Sequence, residues 1–425
     1  MLTSLFYWFL NGIFISSLLW IWSKKVQKQP LKKYFWAGLS FKLLAGILMG
    51  LLYLYIYPNS DSWHFFKVSK RLCEVAFYDF EDYLHILSQT NPHKIARRCH
   101  HYLYIFKDSN WRAFFVYKIV HVFHFLTGSN YWLTNLYFSL FAYCGLWEAA
   151  NALSQKYGNT KAFAFSFLFL PSSIFWASGL SKESLFWGFF GLLIAFLLKK
   201  RTFWNLLFIL LMAYGLWFVK YYYLIIFVAS YLSFSLIEFL AKKYAFSEVK
   251  KIVFFLAIVL FPIFLMTQFY DIIRPEKVLE TIVKNHDQIA KNSNLENMIV
   301  FELEATPKSF LRESPKALLG ALFRPFIWEK GNLLKKMASL ENTMLLFLLF
   351  FIPSAFYTKI SYFETSVLLF YIVILGVFLA FSSPNFGTLL RYKVGIMPFW
   401  AFLCSYFFFQ KDRKITIFGF VIPIL

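Results

Sequence analysis

Residues 5–57 read LFYWFLNGIFISSLLWIW SKKVQKQPLKK YFWAGLSFKLLAGILMGLLYLYIY, and this stretch decides the class of fold. Its two apolar runs, 5–22 and 34–57, have the length an α-helix needs to cross a bilayer, roughly 17–25 residues. Between them lie Lys24, Lys25, Lys28, Lys32 and Lys33, with no acidic residue. Short cytoplasmic loops are enriched in Lys and Arg, so this gap belongs inside and the N-terminus outside. The first run lacks a basic leader and a small-residue cleavage site, and reads as a retained helix rather than a signal peptide. Lys42 sits inside the second run, where it is expected to snorkel or to face a bundle interior.

The alternation continues outward from this pair. Short basic gaps recur at Lys199 to Arg201, Lys242 to Lys251 and Lys411 to Lys414. The other gaps are mixed in charge and hold most carboxylates and histidines. Apolar runs at 131–150, 162–177, 184–198, 203–218, 221–240, 252–269, 344–357, 363–381 and 396–409 complete the pattern. The fold class expected is all-α: a polytopic transmembrane helical bundle of about eleven spans, one membrane domain over 1–425. Two large outer loops are expected, at 58–129 and 270–342. The first should carry interfacial helices at 63–77 and at 95–105 around Arg97 and Arg98. Its segment 114–126, with Lys118, His121 and His124, is read as interfacial or re-entrant. The tail 415–425 is too short to span and is expected at the interface or as part of a last helix.

Composition agrees with this class. The chain has 425 residues, is 59% hydrophobic and 15% charged, whereas soluble domains have about a quarter charged residues. A β-barrel would show weaker alternating segments of about ten residues. The net charge of +21 points to nucleic acid only until its distribution is read. The cations flank the apolar runs, so the partner is anionic lipid and not nucleic acid. There is no Walker motif, dinucleotide-binding glycine turn or HExxH, which argues against nucleotide hydrolysis. Cys144 and Cys404 fall in spans as small hydrophobes, while Cys73 and Cys99 share one outer loop, a weak signal for pairing. The aromatic share, 23% with 57 Phe, fits bundle packing and interfacial belts, and equally a long isoprenoid tail or a sugar ring.

Four outer clusters carry candidate chemistry. Asn59, Ser60, Asp61, Ser62, Trp63 and His64 follow the second run. Asp61 there is a general base at the membrane surface or a cap for the next helix, and the two roles are compatible. The turn Ser178, Gly179, Leu180, Ser181, Lys182 and Glu183 joins two very apolar runs. It is either the wet tip of a hairpin or a functional break, since Pro171, Ser172 and Ser173 interrupt the incoming helix. Arg391 and Tyr392 lie in the stretch 385–393, where an arginine fork suits phosphate. Arg324 to Glu329, RPFIWE, is an aromatic anchor for its loop or a further cation site. His121 and His124, spaced i, i+3, are interfacial histidines or a shared metal site. No metal or other cofactor is assigned on this pattern, and a divalent metal stays open.

The order Asp61, then PSS…SGLSKES over 171–184, then RYKVGIMPF over 391–399 resembles the GT-C superfamily of integral-membrane glycosyltransferases, which includes protein mannosyltransferases. The resemblance implies transfer of a sugar from a polyprenyl-phosphate-linked donor to a glycan, lipid or protein acceptor on the non-cytoplasmic face. It implies Asp61 as catalytic base, Glu183 as a second acidic residue, and Lys182 and Arg391 on the donor phosphate, with Lys393, His64 and Arg324 around it. Many members carry two adjacent acidic residues in the first loop, whereas Asp61 is flanked by Ser60 and Ser62. The location implied is a bacterial inner membrane. A polysaccharide polymerase of O-antigen type fits the same topology. A transporter or flippase for a lipid-linked or anionic solute fits less well, because the break near Pro171 has no counterpart in a second half.

Overall fold

The computed structural model describes residues 2–58, 60–92, 106, 110–269, 274–291, 293, 295–350, 360–409, 414–417 and 420–423. The described residues are overwhelmingly helical. Among the described residues, four helices are long and apolar enough to cross a membrane: Ser4–Val26, Lys32–Ile56, Phe203–Tyr244 and Tyr362–Ser382. The expected helix at 95–105, Asn59, Cys99 with its pairing to Cys73, and residues 351–359 lie outside the described residues.

The chain forms two compact units, Met1–Lys156 with Ile174–Tyr221, and Tyr157–Ser173 with Tyr222–Leu425. In the first unit the two opening runs are the helices Leu2–Val26 and Phe35–Leu51, the second prolonged by a π-helical turn, Leu52–Ile56. The next loop is helical, as its amphipathic pattern requires. Helix Asp61–Tyr78 buries Phe65, Phe66, Val68, Leu72 and Val75 and leaves Lys67, Lys70 and Arg71 on its open side. Its buried face packs on helix Trp111–Thr127, with Phe66 4.6 Å from the His124 ring and Phe65 5.7 Å from Tyr117. Helix Tyr131–Tyr157 outruns its expected end at 150.

The expected break near Pro171 is present in the backbone. Thr160–Phe163 is α-helical, Ala164–Phe169 is π-helical, and Leu170 is extended at φ −67, ψ 120 before a new short helix, Pro171–Trp176. Proline lacks an amide N–H and drives the preceding residue out of the helical region, which is the cause of this break.

The separate runs 203–218 and 221–240 are two helical stretches joined across a kink within Phe203–Tyr244, where Lys220 has non-helical backbone (φ −150, ψ 73). Elsewhere the backbone departs from expectation. The last expected run, 396–409, yields helix Met397–Tyr406, only ten residues long, after a 3₁₀ turn, Lys393–Gly395. In the described part of the tail, Lys414–Ile417 pairs antiparallel with Phe420–Pro423.

The second unit is held by aromatic packing. Ile237, Phe255, Val259 and Phe363 form a buried cluster. Helix Pro307–Phe323 lies against Tyr362–Ser382 with Phe310 5.0 Å from Phe381. Phe163 stacks on Phe402 at 4.2 Å. Ser361 and Glu364 start helix Tyr362–Ser382 with a reciprocal capping box.

Candidate functional site

The turn Ser178–Glu183 is buried, which overturns the wet-tip alternative. Ser178, Leu180, Ser181 and Glu183 are each at most 6% exposed. A turn can be buried in an apolar unit only if its backbone polar groups find partners. They do. Asn135 on helix Tyr131–Tyr157 accepts from the Leu180 amide (2.8 Å) and donates to the Gly46 carbonyl (2.8 Å). Ser139, one turn on, accepts from the Gly179 amide (2.9 Å). Lys42 faces the interior at 1% exposure and donates to the Ile174 carbonyl (3.2 Å). Gly179 has φ +71, and a β-carbon there would meet Asn135 Oδ1 at 2.5 Å. Ser181 caps helix Lys182–Leu197 through the Ser184 amide (3.1 Å), and the Ser184 hydroxyl closes the turn onto the Gly179 carbonyl (2.7 Å).

Lys182 and Glu183 leave this turn in different directions. Glu183 forms an ion pair with Lys220 at 3.1 Å, both side chains at most 4% exposed. The Lys220 ammonium also faces the Phe186 ring at 5.6 Å. Lys182 is half-buried, with its ammonium 5.1 Å from the Phe65 ring centre. Phe65 follows Asp61 by four residues on helix Asp61–Tyr78, hence on the same face one turn along. Asp61 is exposed at the first position of that helix. The residue at the cap position is Ser60, whose side chain makes no capping bond, so the capping alternative for Asp61 gives way to a first-turn carboxylate. His64 is exposed beside Tyr117, with ring centres 6.0 Å apart.

The paired histidines are held separately. His121 Nε2 bonds the Tyr83 hydroxyl (2.9 Å), and His124 Nε2 bonds the Phe66 carbonyl (3.1 Å) while its Nδ1 bonds Ser129 (3.1 Å). Burial holds the His124 ring down to about 4 and lowers His121 too, so both are neutral at pH 7. Among the described residues no group of three or more His, Cys, Asp or Glu is arranged to hold a metal.

In the second unit, Arg391 lies in the last turn of helix Phe386–Tyr392, half-buried, with its guanidinium 5.7 Å from the Tyr392 ring. Lys393, 1% exposed, donates to the carbonyls of Ala321 (2.9 Å) and Arg324 (3.3 Å), which end helix Pro307–Phe323. Glu341, on helix Leu333–Leu349, accepts from the Ser172 amide (2.5 Å). Burial pushes Lys393 down to about 8, partly offset by the charge of Glu341, and pushes the Glu341 carboxyl up. Arg324 is engaged by Glu329 through two contacts (2.8 and 3.1 Å), and Lys335 reaches Glu329 at 3.5 Å. Burial alone would raise Glu329, but the Arg324 fork and the Phe326 amide hold it below the usual carboxylate range. Arg324 and Lys335 both lie over the Phe386 ring, at 5.0 and 4.7 Å. Trp328 in the same segment is 76% exposed, as an aromatic anchor needs.

Asp61, His64, Lys182 and Glu183 thus belong to the first unit, and Arg324, Arg391 and Lys393 to the second. Lys220, Asn135 and Glu341 are the residues sequence reasoning missed. A lysine flanked by FV and YYY in an otherwise apolar run was the available signal for the first. Among the described residues, four apolar helices of membrane-crossing length are compatible with a membrane protein. No protein-family model, curated protein or solved structure matches the chain.

Proposed function

We propose that this chain is a membrane glycosyltransferase that moves a sugar from a polyprenyl-phosphate-linked donor to an acceptor on the non-cytoplasmic face. In this reading the bundle is GT-C-like, with about eleven spans and outer loops over 58–129 and 270–342. The observation that carries it is the contact between Lys182 and the helix that Asp61 begins. An exposed carboxylate and a half-buried ammonium approach one corner of the first unit, while the neighbouring carboxylate, Glu183, is matched by Lys220. Transfer from a phosphate leaving group passes through an oxocarbenium-like state. It requires a base for the acceptor hydroxyl and a cation for the departing phosphate. Asp61 accepts the acceptor's proton, and Lys182 compensates the charge that develops on the phosphate oxygen. The reading rests on the first unit alone.

Asp61→Asn tests it. Product should fall by at least about 100-fold, the usual contribution of a general base. The exposed position should keep the unfolding free energy within about 0.5 kcal/mol. The checks are mass spectrometry of cell-envelope glycans, in cells whose only copy is the variant, and thermal unfolding of the purified protein. Undiminished product removes Asp61 from the chemistry.

A further inference from the structure

We infer that Glu183 is a positioning residue, not a reacting acid: paired with Lys220, it fixes the helix start that aims Lys182. The inference rests on the reading of Lys182 as the phosphate-binding cation and adds Lys220 to that site.

The geometry supports this in three ways. First, Glu183 and Lys220 are each almost fully enclosed and lie 3.1 Å apart. A buried carboxylate matched by a buried ammonium has its charge compensated within the protein. Second, Lys220 is the residue at which helix Phe203–Tyr244 leaves helical geometry, at φ −150, ψ 73. The ion pair, with the ammonium over Phe186, holds the Lys220 side chain at that kink. Third, Lys182 and Glu183 are the first two residues of helix Lys182–Leu197, and consecutive helical residues point about 100° apart. Once Glu183 is tied to Lys220, the rotation of the helix start is set, and Lys182 is directed to Phe65, one turn from Asp61.

The experiment compares five full-length proteins: the wild type, Glu183→Gln, Lys220→Met, the double variant of these two, and the exchanged pair Glu183→Lys with Lys220→Glu. Each is read three ways: thermal unfolding in detergent, acylation of Lys182 by a water-soluble amine reagent, and glycan product. Each single variant leaves one buried charge without its partner, so each should unfold at lower temperature, change Lys182 acylation several-fold and lose product. The double variant removes both charges and should recover the unfolding temperature, but with the tie gone it should keep the altered acylation and the loss of product. The exchanged pair restores the tie and should recover both. A double variant that acylates like the wild type overturns the inference, because the pair then does not aim Lys182. An exchanged pair that unfolds and acylates like the wild type but makes no more product than Glu183→Gln also overturns it, because Glu183 then reacts itself. If even the wild type makes no glycan product, the transferase reading fails, yet unfolding and acylation still decide the positioning role. If a single variant or the exchanged pair does not fold, acylation of the double variant still decides: a wild-type level there overturns the inference.

Discussion

Each unit buries an acid and a lysine, but the two sets are built on different principles. In the first, Glu183 and Lys220 meet directly at 3.1 Å. In the second, Glu341 and Lys393 interact through charge, while each holds a backbone: Glu341 the Ser172 amide, Lys393 the carbonyls of Ala321 and Arg324. In the first arrangement the two charges answer one another. The second uses its charges to finish helix ends, the start of Pro171–Trp176 and the end of Pro307–Phe323. The lesson is that burial of an ion pair does not define its role. What each partner would leave behind on removal does.

The widest expected difference is in joint neutralisation. Glu341→Leu with Lys393→Met should remain strongly destabilised, because the Ser172 amide and two carbonyls lose their partners, at about 1–3 kcal/mol for each orphaned group. Glu183→Gln with Lys220→Met should not, since buried pairs replaced by neutral side chains are often neutral in stability. Thermal unfolding of both double variants measures the contrast, and equal losses would erase the distinction between the two arrangements. A smaller effect separates the buried turn from its surroundings. Gly179→Ala forces an L-residue to φ +71 and drives its β-carbon onto Asn135 Oδ1. The backbone strain alone costs about 1–3 kcal/mol. If the turn were a loose solvated tip, unfolding would not change.

Local chemistry was legible in the sequence wherever one segment dictates its own structure. The two opening runs, the amphipathic helix at Asp61 and the break at Pro171 all follow from apolar length, period or a missing amide. Partners far apart in the chain were not legible. Nothing in SGLSKES names Lys220, because the pairing depends on how helices Lys182–Leu197 and Phe203–Tyr244 pack. Lys220 falls at the kink between the runs 203–218 and 221–240, and a lysine at such a break attracts no notice. Asn135 escaped for a related reason: a lone amide in an apolar helix signals a need for partners without naming them. For the tail, the pairing of Lys414–Ile417 with Phe420–Pro423 removes only the alternative of a last helix.

The smallest predicted effect tests the second unit through pH. Lys393 has an ordinary pKa of 10.5, and burial lowers it to about 8 in the folded chain. Between these values the unfolded chain holds a proton that the folded chain has lost, so stability rises with pH across the interval. The contribution is fully present above pH 10.5 and is lost as pH falls to about 8. Other lysines and tyrosines titrate in the same range, so the informative quantity is the difference between wild type and Lys393→Met. The variant lacks the group and should show a shallower rise in unfolding temperature from pH 8 to pH 10. Identical slopes would mean that Lys393 keeps an ordinary affinity for its proton. The burial of Lys393 and its bonds to the Ala321 and Arg324 carbonyls would then balance.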